Sequence, residues 1–114
     1  MPFINSKVSF KLSKQDEENI KTKLGKAIEL IPGKSETWLM VGFEDEYNLY
    51  FQGEAFPKIV FVEVSVFGTV SKEAANSLTA AICDIFNEVT GTPVDKIYVR
   101  YQETDKWGWN GGNF

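Results

Sequence analysis

Histidine is missing altogether from this chain, and with it go the commonest general base near neutral pH and the commonest zinc ligand. A single cysteine, Cys83, excludes an intrachain disulfide and a Cys-x-x-Cys redox pair. It falls on the apolar side of a predicted helix, where a thiol serves as packing. Basic residues are in deficit, 12 Lys and Arg against 16 Asp and Glu for a net charge of −4. No basic stripe of the kind that phosphate backbones require is present, so nucleic acid is excluded as a partner. No apolar run approaches the ~20 residues that cross a bilayer, and no membrane partner is expected. The opening residues show no basic segment followed by an apolar one; the cytoplasm is the expected compartment, with secretion by a non-classical route as the alternative.

What is present fits one globular domain over residues 1–114, with 43% hydrophobic and 25% charged residues. Residues 3–10, "FINSKVSF", read as a first strand. Ser13 is placed to cap a helix with Asp16, Glu17 and Glu18 near its start, and Ile20, Leu24, Ala27, Ile28 and Ile31 recur at helical spacing until "PGK" stops it. Residues 37–43 are a second strand, "LYF" at 49–51 a short edge strand, and residues 59–67 a central strand apolar on both faces in its first half. The stretch "NLYFQG" resembles a protease recognition site and is read here as native sequence. Ser71 starts a second helix with a broad apolar face, ended by Gly91 and Pro93. A strand at 96–101 and a Gly/Asn-rich tail, "WGWNGGNF", close the chain.

The two halves repeat. Ser13 and Ser71, Gly33 and Gly91, and Trp38 and Tyr98 recur at a spacing of about 58–60 residues. Two β-α-β units with right-handed crossovers predict an α+β fold: a four-stranded mixed sheet with two helices on one face, plus short extra edge strands. The opposite face is expected to be apolar and uncovered, and symmetric closure of identical chains, a homotrimer, is the expected cover. Pro2 opens the first strand. It is either an inert strand starter or, once Met1 is removed, a free secondary amine, and the residues alone leave both readings standing.

The Met-Pro start, "GK" at 33–34, "FVEV" with Phe67-Gly68, "DKIYVRY" and the closing "WGWNGGNF" together resemble the macrophage migration inhibitory factor branch of the tautomerase superfamily. The likeness runs the length of the chain. It implies a trimer of β-α-β pairs with active sites between subunits, and Pro2 as catalytic base after loss of Met1. An amino-terminal amine titrates near 7.7–8.0, and burial or a nearby cation favours its neutral form. The resemblance makes Lys34 that cation and a holder of substrate oxygen, where the residue alone reads as a solvated loop lysine.

By the same resemblance the Phe67 backbone N–H holds substrate, although "SVFG" stands where the family more often has isoleucine after serine. Tyr98 and Arg100 match residues given to the adjacent subunit's site. Arg100 replaces the asparagine of the cytokine and is closer to the D-dopachrome tautomerase branch; a guanidinium favours carboxylic acids over esters. Trp38, Trp107 and Phe114 are expected to wall the pocket, with core or interface packing as the alternative for Trp107 and Phe114. The family's Cys-x-x-Cys is replaced by "FPKIV". The implied activity is a cofactor-free, metal-free keto–enol isomerisation of phenylpyruvate-like acids. A non-catalytic, cytokine-like module that binds a protein receptor is the alternative.

Overall fold

Alternation of apolar and polar residues sets the architecture. In the computed structural model, which describes residues 1–114, strand β1 spans Pro2–Val8 and buries Pro2, Ile4, Ser6 and Val8 on one side. Helix α1 (Lys14–Ala27) crosses to β2 (Met40–Glu44), which pairs with β1 in parallel. The second unit repeats this plan with β3 (Val60–Phe67), α2 (Lys72–Thr90) and β4 (Ile97–Thr104), and β3 and β4 are again parallel. An antiparallel β1–β3 ladder joins the units, so the sheet order is β2-β1-β3-β4.

Both helices lie on one face. Ile20, Leu24 and Ile28 from the first helical segment, and Leu78, Ile82 and Phe86 from α2, close over Ile4, Val8 and the row Val60, Val62, Val64 and Val66. The two helix starts are held by serine. The Ser13 hydroxyl accepts from the Asp16 N–H and the Ser71 hydroxyl from the Ala74 N–H, both at 3.0 Å. No helix is long and apolar enough to cross a membrane.

Five expectations are corrected. The first strand ends at Val8, because the chain bends at Ser9 and Phe10. The second strand begins only at Met40: Glu36–Trp38 form a 3-10 turn in which the Trp38 N–H donates to the Ser35 carbonyl. The edge strand at 49–51 is a single bridge from Phe51 to Glu54, since Gln52 (φ 55°) and Gly53 (φ 77°) reverse the chain at once. The Gly/Asn-rich tail is a hairpin of β5 (Gly108–Trp109) and β6 (Gly112–Asn113), turned through Asn110 and Gly111 at φ 52° and 84°. The fourth strand also runs on to Thr104, past residue 101.

The uncovered face of the sheet differs from the apolar surface expected of it. Register places Gly42, Asn5, Glu63 and Arg100 in one row across the four strands, with Glu44, Lys7, Phe61 and Tyr98 in the next. Glu63 sits between two cations, Lys7 at 3.2 Å and Arg100 at 2.6 Å. The alternation that sends Val62 and Val64 to the core sends Glu63 out, so the middle of this face is charged.

Candidate active site

Pro2 is buried at the start of β1, and the peptide before it continues the antiparallel ladder: the Phe67 N–H donates to the Met1 carbonyl at 3.0 Å. Gly33 adopts φ 82° after the first helical segment, a turn that L side chains adopt at a cost. Lys34 follows it, and its Nζ donates to the Phe67 carbonyl at 2.9 Å. Both backbone groups of Phe67 are therefore engaged, one by Met1 and the other by Lys34. Burial holds the Met1 amino group below its usual range, and the charge and hydrogen bonding of Lys34 push the same way.

A cleft of about 770 Å³ opens from this junction, lined by Met1, Pro2 and Phe3 together with Trp38, Trp107 and Trp109. A chain of rings bounds the region. Trp38 meets Trp109 edge-on with centroids 5.2 Å apart, Trp109 stacks on Phe114 at 6.1 Å, and Phe114 tilts against Phe67 at 5.7 Å. The 3-10 turn brings Trp38 to the hairpin. The hairpin is closed in turn by the Phe114 N–H, which donates to the Trp107 carbonyl.

Trp109 is the residue that sequence reasoning missed. In "WGW" the two indoles fall on the same side of an extended segment, so both line the cleft. Trp109 is the one that links Trp38 to Phe114. The Asn-Gly pair at 110–111 was the available signal, because it marks a hairpin whose paired strand places residue 109.

Tyr98 and Arg100 lie elsewhere. They share the uncovered face of β4, as their alternation requires, but their β3 partners are Phe61 and Glu63. At about 3.3 Å per residue, that leaves them roughly 20 Å and 13 Å along the sheet from Phe67. Tyr98 rests edge-on against Phe51 at 5.0 Å, and Arg100 lies over the Phe61 ring at 5.4 Å. One chain thus gathers Pro2, Lys34, Phe67, Trp38 and Phe114, with Trp107 on the cleft wall. A site that also contains Tyr98 and Arg100 needs a second copy.

Chemically, the junction offers an amine biased toward its neutral form, an ammonium beside it, a backbone N–H that the Met1 carbonyl holds in the Met-bearing chain, and an aromatic wall. Such a set suits removal of a proton from carbon next to an anionic or enolic oxygen.

A family model described as macrophage migration inhibitory factor matches residues 1–114. Among solved structures, the chain is similar to Leishmania major MIF2, with 32% identity and a TM-score of 0.92 over 100% of this chain and 97% of that one. The macrophage migration inhibitory factor homologue of Prochlorococcus marinus shares the fold at 24% identity and a TM-score of 0.87, with 98% of each chain covered. So does Pt0534, a protein inactivated by 2-oxo-3-pentynoate, at 20% identity and a TM-score of 0.83 over 96% of this chain and 93% of that one. No curated protein sequence matches significantly.

Proposed function

The chain belongs to the macrophage migration inhibitory factor family, and from that premise we propose that it is a tautomerase that interconverts the keto and enol forms of phenylpyruvate-like α-keto acids. Pro2, freed by removal of Met1, takes the proton from the carbon beside the keto group. The electron pair moves to the keto oxygen, which takes up a proton to give the enol. Lys34 and the Phe67 N–H hold negative charge on the substrate. Trp38, Trp107, Trp109 and Phe114 face its aromatic ring. Tyr98 and Arg100 reach this site from the adjacent copy of a homotrimer, and the Arg100 guanidinium holds the carboxylate.

The observation that carries this reading is the convergence at Phe67. In the Met-bearing chain the Met1 carbonyl accepts from the Phe67 N–H. Loss of Met1 frees that donor and creates an amine at the buried Pro2, in an environment that already favours neutral amines.

The test uses chain lacking Met1, verified by intact mass, and follows ketonisation of the phenylpyruvate enol. Turnover is expected, with loss of at least 100-fold in Pro2→Gly, the order of magnitude of general-base effects. The Pro2 amine is also expected to take up one equivalent of 2-oxo-3-pentynoate, the nitrogen bonding to the alkyne carbon remote from the ketone as one π bond opens and the amine proton passes to the carbon beside the ketone. A folded trimer with neither turnover nor labelling transfers the assignment to a non-catalytic module that binds a protein receptor. A monomer would remove the intersubunit site.

A further inference from the structure

We propose that Glu63 is a specificity-determining positioning residue, which holds the Arg100 guanidinium ready for a monocarboxylate in the site that the adjacent copy completes. This rests on the tautomerase reading for its substrate, but the geometry is independent of it. Arg100 Nη2 donates to Glu63 Oε2 at 2.6 Å, and the guanidinium lies over the Phe61 ring. The other Glu63 oxygen faces Lys7 at 3.2 Å and the Asn5 amide at 3.5 Å, and that amide also donates to Glu44 at 2.7 Å. Only 22% of the Glu63 side chain is exposed, against 55% for Arg100. The carboxylate is therefore the fixed partner and the guanidinium the free one.

Two consequences follow from this arrangement. One contact to Glu63 leaves most of the guanidinium's five N–H donors available, including the Nε and Nη1 groups. An arginine that is ordered before the ligand arrives spares the ligand the cost of ordering it. With Glu44 beside Lys7 in the register and bonded to the same Asn5 amide, the four charges of the cluster sum to zero: Lys7 is matched by carboxylates, and Arg100 is the exposed cation left to meet one ligand carboxylate. A second carboxylate on the ligand would find no free cation in this group.

The experiment measures kcat and KM for phenylpyruvate and for its methyl ester with the Met-free protein and its Glu63→Gln variant. A Glu63→Gln/Lys7→Met double variant restores the net charge of the group while leaving Arg100 at most a neutral hydrogen bond in place of its charge-assisted one. Expected in both variants is a rise of about three- to tenfold in KM for the acid, the span set by immobilising one long side chain on binding. The ester KM and both kcat values should stay within about twofold. An unchanged or lower acid KM in the double variant would overturn the proposal, as would an equal rise for the ester. If the unmodified protein proves inactive, the Arg100 side-chain Nε–H resonance still decides: it should be ordered in the parent and mobile in both variants. An equally ordered Arg100 in Glu63→Gln would sink the tether whatever the protein catalyses.

Discussion

Lys34 donates to the carbonyl of Phe67 while the N–H of the same residue is held by Met1, so the ammonium is anchored beside the amino terminus by the end of β3. Burial first, and this charge second, keep the terminal amine below its usual range. For the Met-free protein, kcat/KM should rise with pH through an apparent pKa below the free-amine value of about 7.7–8.0 and then level off. Lys34→Ala removes a cation that disfavours protonation. Its profile should shift to higher pH, with weaker binding of carboxylate substrates. A profile that stays in place would mean that Lys34 does not tune the base.

Retention of Met1 should separate assembly from chemistry. The Met-bearing chain has an amide nitrogen at Pro2 and its own carbonyl on the Phe67 N–H. Light scattering should find the same trimer mass for both forms, and the enol assay should find activity only in the processed one. Equal turnover by Met-bearing protein, checked intact by mass after the assay, would end the proline-base mechanism.

Glu63 should leave a mark on acid stability. Burial raises its proton affinity, but the hydrogen bond and charge of Lys7, then Asn5 and Arg100, outweigh burial and hold the carboxyl below its ordinary value. The unfolded chain then binds more protons across the window just below about 4.3, so stability falls as pH drops through it. Lys7 is shifted up, chiefly by its hydrogen bond to Glu63, and its contribution is lost only as pH rises through that raised value. Urea midpoints between pH 6 and pH 3 should fall less steeply in Glu63→Gln than in the parent. Parallel curves would show that the pair adds nothing.

Helix α2 should be sensitive at both ends. Ser71→Ala removes the acceptor for the Ala74 N–H, at a cost of about 1 kcal/mol. Gly91 closes the helix at φ 75°, with the Lys58 Nζ 4.0 Å from where a Cβ would lie; alanine there should cost about 1 kcal/mol more. The sites lie at opposite ends of a 19-residue helix, so urea denaturation of the double variant should show nearly additive losses.

These caps were legible because they are local: a serine before an acidic first turn and a glycine after an apolar face act within a few residues of themselves. The repeat was legible for the same reason, as was its consequence, two parallel pairs sharing one helical layer. Register was not. Whether Glu63 meets Lys7 or a core valine depends on the pairing of β3 with β1, and an apolar run such as "IVFV" reads equally well in either phase. Trp38 defeated the strand reading because "WLMVGF" is an unbroken run without charged or hydroxyl side chains, and nothing in its pattern distinguishes a 3-10 turn from extended backbone. For the site, residue chemistry left Pro2 and Lys34 ambiguous. The meeting of Lys34 and the Met1 carbonyl just before Pro2 at Phe67 spans 33 residues or more of chain, which no local rule predicts.

The turn at Gln52 and Gly53 is the joint between the two repeats, and its own bond is a single bridge from Phe51 to Glu54. The halves hold each other instead through seven paired positions of β1 and β3 and through the seam between α1 and α2. Covalent continuity at that exposed joint should therefore be dispensable to the finished fold. A chain severed after Gln52 should behave as a complementing pair of fragments that keeps the circular dichroism of the intact protein, and fragments that drift apart on dilution would show that the linkage matters as much as the interface.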